Sequence, residues 1–365
     1  MRAQNEVTDE QFMRQCIRLA ERGRGYVSPN PVVGALLVKD GEVLSRGYHK
    51  KYGGDHAEVE CLSHYDGDCR GTTLFVNLEP CSHFGKTPPC TETIVRRGIS
   101  RVVIGIIDPN PIVSGKGVRD LAKAGIDVIT GTCESECRQL NKMFIKNISS
   151  KVPYVNVKIA QTLDGKIARR RQGFSWITGA ASQNEVHKWR RAYDAVCVGA
   201  GAIRTDNPSL TVRHVRGRNP GVVILDGRLN VHPDSRVFTT APERKIFIVC
   251  TENSVRNKKS HVARLTKRGV TVIPMSGPRI DIQKMLFALY QRGIGSILVE
   301  GGQKVFSQFI LQHFYDEVSV FISPKSYGNG LSPCVFDLPS EDKLSYVEMT
   351  SRRLGNDVLI QLTKE

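Results

Sequence analysis

Twelve apolar runs, three to seven residues long, recur along this chain with helix-patterned stretches between them. Runs that short suit strands better than buried helices, and strands alternating with helices build a layered α/β domain. Five runs fall in the first part: Val32–Val38, Val43–Tyr48, Leu74–Leu78, Val102–Ile107 and Val128–Thr130. Helical stretches lie near His56–His64, Thr91–Arg97 and Val118–Ala124, the last two followed by the stop signals Gly98 and Gly125. Ahead of them, Thr8 and Gln11 form a capping-box pattern, followed by an apolar stripe of Phe12, Cys16, Leu19 and Ala20.

A short break near Ser149–Pro153 precedes a second series. Its strands are expected at Tyr154–Ile159, Ala195–Val198, Val222–Leu225, Ile246–Cys250, Val270–Ile273, Ser296–Val299 and Val318–Ile322. Helices are expected at Ser182–Ala192, Ile282–Arg292 and Lys304–His313. At 365 residues the chain exceeds the size at which a single core stops growing. Two domains are therefore expected, 1–150 and 151–365.

The first part carries a metal-ligand set. His56-Ala57-Glu58 follows Asp55, a candidate N-cap, and opens a helix; Pro80-Cys81 follows a strand; Pro88-Pro89-Cys90 leads into the next helix. One imidazole and two thiolates are three ligands for zinc and leave the fourth tetrahedral position open, as a catalytic site requires. Glu58, two residues from the histidine, is then the proton carrier and not a ligand. A lone H-x-E is weak, and so are two cysteines nine apart. Together, with proline before each cysteine, they point to a zinc deaminase. The blander reading is buried free thiols beside a surface histidine. Cys133 and Cys137 have no third partner nearby and read as packing residues, as do Cys16, Cys61, Cys69, Cys197, Cys250 and Cys334.

Charge is distributed unevenly. Of the net +16, residues 1–150 hold 20 basic and 18 acidic side chains, and residues 151–365 hold 32 and 18. The excess lies outside the deaminase half, which fits a small polyanion held by the second half better than a nucleic acid. Much of it reads simply as a solvated basic surface, and the run Lys166–Gln172 as an exposed turn. No run approaches the ~20 apolar residues of a membrane span. No apolar segment follows Arg2, and the ten cysteines show no disulfide framework, so reduced thiols and a cytoplasmic setting are expected.

Three stretches, Ser28-Pro-Asn-Pro-Val-Val-Gly34, His56-Ala-Glu58 and Pro80-Cys-Ser-His-Phe-Gly-Lys-Thr-Pro-Pro-Cys90, closely resemble the bifunctional deaminase–reductase family of bacterial riboflavin biosynthesis. The resemblance continues through Lys158–Ala168, Trp176-Ile-Thr178, Asp206–Arg213 and Leu298-Val-Glu-Gly-Gly302, and so covers nearly the whole chain in order. It implies an α/β protein with a cytidine-deaminase-like α/β/α layered domain followed by a dihydrofolate-reductase-like α/β domain. It implies zinc-dependent deamination of a phosphoribosylamino-diaminopyrimidine, then reduction of its ribosyl chain to ribityl with NADPH. A homo-oligomer that acts on a phosphorylated pyrimidine is expected, with no nucleic acid and no membrane as partner.

Carried over position by position, Asn30, His49, His83 and Lys86 match contacts to the pyrimidine or its phosphate. Ala160, Trp176, Ala202, Asp206, Gly227 and the run Gly302, Gln303, Lys304, Val305, Phe306, Ser307 and Gln308 match cofactor contacts. Phe174, Arg190, Leu210, Arg213 and Glu300 match contacts to the sugar phosphate and pyrimidine, and Lys158 is a candidate to polarise or protonate the ribose oxygen. Read alone, Lys86 is a solvated loop residue and Trp176 fits a core equally well. Two readings agree with the resemblance without depending on it. Gly301-Gly302 follows a strand and opens a helix, which lets backbone N–H groups approach a phosphate. Arginine binds phosphate oxygens in a bidentate fork. Three positions depart from the family: Phe174 and Gly227 replace common serines and Ala202 a common threonine, which bears on cofactor affinity and on NADPH over NADH.

Two rival classes remain. One is a tRNA base deaminase with the basic second half as its RNA grip, against which stand the near-neutral deaminase half and the reductase motifs. The other is a non-catalytic zinc module, in which Glu58 would have no purpose.

Overall fold

Thr8 caps the first helix as its spacing with Gln11 predicts: its hydroxyl accepts from the Gln11 N–H, and the Gln11 side chain accepts from the Thr8 N–H. The structure is a computed structural model that describes residues 8–82, 88–111, 113–169, 176–334 and 346–364. The expectations for His83, Lys86 and Phe174, and for the end of the Lys166–Gln172 run, lie outside the described residues. The chain divides into two compact units, Met1–Lys151 and Val152–Glu365.

The first unit runs α1 (Asp9–Ala20), β1 (Gly34–Lys39), β2 (Glu42–Tyr48), α2 (Ala57–Ser63) and β3 (Thr73–Leu78). It continues through α3 (Cys90–Arg96), β4 (Arg101–Ile106), α4 (Lys116–Lys123), β5 (Asp127–Thr130), α5 (Glu134–Leu140) and α6 (Lys142–Ser150). Its sheet has the order β2-β1-β3-β4-β5. The β1 strand is antiparallel to both neighbours, while β3, β4 and β5 are parallel. Apolar residues of β1, β3 and β4 are buried on both faces, between α1 on one side and α2 on the other. Close approach of α2 to β2 requires glycine at Gly47, where a Cβ would stand 2.3 Å from the Cys61 nitrogen.

The second unit runs β6 (Tyr154–Thr162), β7 (Ala168–Arg169), α7 (Ala180–Ala192), β8 (Ala195–Gly199), α8 (Ala200–Asp206) and β9 (Gly221–Leu225). There follow β10 (Ile246–Thr251), α9 (Glu252–Asn257), α10 (Lys259–Lys267), β11 (Val270–Met275), α11 (Ile282–Tyr290), β12 (Ser296–Gly301) and α12 (Gln303–Leu311). The chain closes with β13 (Glu317–Ser323), β14 (Gly330–Leu331), β15 (Glu348–Leu354) and β16 (Asp357–Thr363). Nine strands form one sheet in the order β11-β10-β9-β8-β12-β6-β13-β16-β15, parallel from β11 to β13 and antiparallel beyond. Alternate residues feed two cores. Ala195, Cys197, Val223 and Phe247 pack on one face, and Val196, Val198, Val222 and Ile248 on the other.

The strand expectations agree with the structure to within a few residues at each end. Four groups of elements went unpredicted: α5 with α6, the short helices α8 to α10, the hairpin β15–β16, and the antiparallel pair β7–β14, whose first strand lies within the run read as an exposed turn. No helix among the described residues is long and apolar enough to cross a membrane.

Candidate functional site

In the first unit the metal set converges. His56 occupies the N-cap position of α2, so the helix begins one residue later than a cap at Asp55 would place it. Cys90 is the first residue of α3, and Cys81 lies in the segment that follows β3. The Cys90 N–H donates to Cys81 Sγ at 3.3 Å, and the Cys81 carbonyl accepts from both Thr91 N–H and Oγ1. The N-terminus of α3 thus faces the Cys81 sulfur and carries that of Cys90, where the helix dipole favours the negative charge a metal-bound thiolate bears.

The three ligand atoms all lie within 4.8 Å of one another. His56 Nδ1 stands 3.5 Å from Cys81 Sγ and 3.3 Å from Cys90 Sγ. Around a tetrahedral zinc, with sulfur at about 2.3 Å and nitrogen at about 2.0 Å, the N–S edge is about 3.5 Å. The donor set therefore fits zinc in number, chemistry and spacing. Hydrogen bonding with Cys90 and His56 pulls the Cys81 thiol down to about 4. His56 rises to about 9, chiefly through its bond to Cys81. The hydrogen bond with Cys81, and then burial, pushes the Cys90 thiol well up, so without metal the trio is a Cys81 thiolate and a His56 imidazolium beside a protonated Cys90, and a bound cation would displace those protons.

Glu58 lies in the first turn of α2, one residue beyond Ala57, and is buried. Burial, and then the Cys81 thiolate, raises it to about 7. His49 is buried beside the cluster, with its ring edge-on to His56 at 5.5 Å. Its Nδ1 contacts the Asp55 carbonyl at 2.8 Å, which makes Nδ1 the protonated nitrogen. Its Nε2 then accepts from Asn30 Nδ2 at 3.2 Å. Asn30 and His49 therefore stand together next to the ligands.

In the second unit the site residues gather at the C-terminal ends of neighbouring parallel strands, where ligands bind in open α/β sheets. Glu300, near the end of β12, and Arg190, on α7, form a bidentate pair at 2.7 and 2.6 Å, each side chain about nine-tenths buried. Arg190 Nη1 also donates to the Thr211 carbonyl. Much of its fork is therefore committed within the protein, leaving one N–H on each terminal nitrogen for a ligand. Arg213 is freer: its Nη1 donates to Ser209 Oγ at 2.7 Å and its backbone N–H to His187 Nδ1 at 3.0 Å. Burial, then Arg190, His214 and Arg213, push His187 down to about 4, so this neighbourhood is strongly cationic.

Lys158, on β6, has Nζ 5.6 Å from the Phe321 ring centre. Burial lowers its pKa, and Glu300 opposes that shift. Leu210 is buried with φ of +52°. Asp206 ends α8 in an exposed position, and Ala160 and Ala202 are half-buried. Trp176 is 48 % exposed, so it is not a core aromatic. Gly302 is the N-cap of α12, and a Cβ there would meet nothing within 4 Å, which leaves the first amides of the helix open to a ligand. Within 302–308, Val305 and Phe306 are core side chains and Ser307 bonds to the Gln303 carbonyl. Gln303 donates to Ser332, Lys304 is exposed and Gln308 half-buried. Val305 and Phe306 have buried side chains, and their N–H groups already donate to the Gly302 carbonyl. Gly227 has its carbonyl bound by Thr251 and Ser254, with room for a larger side chain where Ile280 is the nearest neighbour at 3.9 Å.

Comparison with known proteins agrees with both sites. Residues 6–106 match the cytidine and deoxycytidylate deaminase zinc-binding region, and residues 153–360 match the RibD C-terminal domain. Over 96 % of its length the chain is 41 % identical to the riboflavin biosynthesis protein RibD of Aquifex aeolicus, covering 97 % of that protein. The chain belongs to the RibD family.

The RibD protein of Escherichia coli is 33 % identical over 97 % of the chain and 99 % of its own length. Among solved structures, the diaminohydroxyphosphoribosylaminopyrimidine deaminase/5-amino-6-(5-phosphoribosylamino)uracil reductase of Thermotoga maritima is 40 % identical. It superposes with a TM-score of 0.86 over 98 % of this chain and 99 % of that one. Acinetobacter baumannii RibD superposes at 0.87 with 32 % identity over 98 % and 99 % of the two chains. Like its relatives, this RibD chain joins a cytidine-deaminase-like zinc domain to a dihydrofolate-reductase-like domain, and is a deaminase and a reductase of riboflavin biosynthesis.

Sequence reasoning missed the residues that hold these RibD sites in place. Buried Glu79 accepts from the N–H groups of Asp108, Gly115 and Val118, and so caps α4, whose own N-cap residue is a glycine. Asn77 and Asn141 both bond to Val32, and Asn77 also to the Gly34 N–H, fixing the segment that carries Asn30. Arg244 does the same for the Ser209–Leu210 segment. The signal in the sequence was a polar residue within or close to a strand-length apolar run, as for Asn77, Glu79 and Arg244, and Asn141 carried none.

Proposed function

We propose that residues 1–150 deaminate 2,5-diamino-6-(5-phosphoribosylamino)pyrimidin-4-one, and that residues 151–365 reduce the product to 5-amino-6-(5-phosphoribitylamino)uracil. The observation that carries the first half is the convergence of His56, Cys81 and Cys90 beside buried Glu58. A zinc ion held by those three residues supplies a Lewis acid that makes water nucleophilic near pH 7. Glu58 takes one proton from the attacking water and gives it to the ring nitrogen, then takes the hydroxyl proton of the resulting adduct and gives it to the amino group, which departs as ammonia. A carboxyl near neutrality suits both transfers. Asn30 and His49, tied to each other, position the pyrimidine, and His83 and Lys86 are assigned to its phosphate.

In the second half, NADPH supplies the hydride. The open amides at Gly302–Lys304 would receive its phosphates, and Ala160, Trp176, Ala202, Asp206 and Gly227 would hold the rest of it. Arg213 and the remaining N–H groups of Arg190 hold the substrate phosphate; Glu300, fixed by Arg190, accepts from the pyrimidine; Leu210 packs beside it. Lys158 gives its proton to the ribose oxygen as the C1′–O bond opens and C1′ takes the hydride. Its lowered pKa favours that release. The near-neutral charge of residues 1–150 argues against a nucleic-acid substrate.

The test is incubation of the purified chain with the diaminopyrimidine phosphate, followed by mass spectrometry. Without NADPH the mass should rise by about 1 Da as an amino group becomes an oxo group, and with NADPH by about 2 Da more. A chain that deaminates RNA and leaves the free pyrimidine unchanged would refute the proposal.

A further inference from the structure

Arg244 lies between the segment after β9 and the start of β10, with 8 % of its surface exposed. No carboxylate among the described residues forms an ion pair with it. Its guanidinium donates instead to four uncharged oxygens: Thr240 Oγ1 from Nε at 2.9 Å, Leu210 O and Pro220 O from Nη1 at 2.7 and 3.1 Å, and Ser209 O from Nη2 at 2.5 Å. Burying a guanidinium without a counter-charge is costly, and burial pulls this one down to about 10. A residue that merely filled space would not need the charge, so what the arginine holds matters.

It holds the backbone of Ser209 and Leu210. Leu210 has φ of +52°, a conformation that a bulky L residue rarely adopts without support from its surroundings. Ser209 Oγ accepts from Arg213 Nη1 at 2.7 Å. A chain of contacts thus runs from Arg244 through the Ser209 carbonyl and hydroxyl to the Arg213 guanidinium, while a second branch fixes Leu210. We propose that Arg244 is a positioning residue for the reductase substrate, holding Ser209 and Leu210 so that Arg213 is preset for the phosphate. The inference rests on the reading of Arg213 as the phosphate-binding arginine. Lysine cannot replace it fully, because an ammonium is a point donor without the planar fork that spans four acceptors.

The test compares full-length R244K, R213A and the double variant, with 5-amino-6-(5-phosphoribosylamino)uracil and its dephosphorylated form as substrates. R244K should raise KM for the phosphorylated substrate about tenfold, since a small misplacement of a binding group is costly. Its kcat and its KM for NADPH should stay within about threefold of the parent, and its KM for the dephosphorylated substrate, which Leu210 still touches through the pyrimidine, should also rise by no more than about threefold. R213A should raise the same KM by about 10–100-fold, and adding R244K should raise it little further. If R213A raises KM and folded R244K does not, the positioning role is refuted while the reading of Arg213 stands. An unchanged KM in R213A refutes both. Equal losses of R244K on the two substrates refute a role directed at the phosphate. Should R244K fail to fold, S209A cuts the same chain at its outer link; a parental KM in S209A then overturns the proposal.

Discussion

Replacing Glu79 by glutamine tests whether Cys81 is held in place from beneath. Glu79 Oε2 accepts from Asp108 and Gly115 N–H, both at 3.0 Å, and Oε1 from Val118 N–H at 3.2 Å. Gly115 and Val118 sit at the first turn of α4, so the carboxylate serves as the helix cap and faces the positive end of its dipole. The α4 helix also docks on the next residue: a Cβ on Gly117 would stand 2.2 Å from the Pro80 carbonyl oxygen. Cys81 follows directly. Glutamine keeps the shape but sets an NH2 group against at least one backbone N–H. One charge-assisted bond is lost and a buried donor is stranded, about 1.5–3 kcal/mol, or roughly a 10–100-fold shift in the local opening equilibrium. Hydrogen–deuterium exchange of the full chain should show faster exchange by about that factor in residues 116–123. Zinc should be lost to a chelator about 10–100 times more readily, as for other residues that support metal ligands. Reduction of the deaminated intermediate should be untouched. Parental exchange in α4 together with parental zinc retention would refute the reasoning.

Three further outcomes follow from the same geometry. Elemental analysis should find roughly one zinc per chain in the parent, and C81S should lose most of it; full retention in a C81S/C90S double variant would exclude these ligands. Replacing Arg190 by methionine strands buried Glu300 and should destabilise the second unit by about 3–5 kcal/mol. Urea denaturation followed by fluorescence reads that unit alone, because both tryptophans, Trp176 and Trp189, lie in it. His187 is held down at about 4, below its unfolded value near 6.5. The unfolded chain therefore binds the extra proton first, and this contribution to stability is complete above about pH 6.5 and lost as the pH falls towards 4. H187N, whose Oδ1 replaces Nδ1 as acceptor for the Arg213 N–H, should show a shallower loss of stability between pH 6.5 and 4.5 in the same fluorescence assay; an unchanged slope would clear His187 of the effect.

Much of this was legible because the central strands are buried on both faces and read as continuous apolar runs. Ala195–Gly199 and Gly221–Leu225 are examples, each buried at every position. The hairpin β15–β16 was not legible because β15, Glu-Met-Thr-Ser-Arg-Arg-Leu, is exposed nearly throughout and shows no apolar alternation. The α5 and α6 pair hides similarly, in a polar stretch where Cys137 and Leu140 are the buried residues of α5 and Asn147 that of α6. The metal ligands were legible from residue type and spacing alone. Their supports were not, because Glu79, Asn77, Asn141 and Arg244 act on backbone groups 24 to 109 residues away. Nor does residue type reveal that the Arg190 fork is already closed on Glu300.

The central claim is that one RibD chain runs two reactions at separate sites. It is tested most directly by giving each single-site variant each substrate in turn. E58Q keeps all three metal ligands and should retain zinc, yet deaminate slower by roughly 10²–10⁴-fold or more. Given the already deaminated intermediate, it should oxidise NADPH at close to the parental rate. R213A should do the reverse, deaminating normally while its KM for the intermediate rises by about 10–100-fold. Loss of both steps in either variant, in a chain that remains folded and zinc-loaded, would contradict the account.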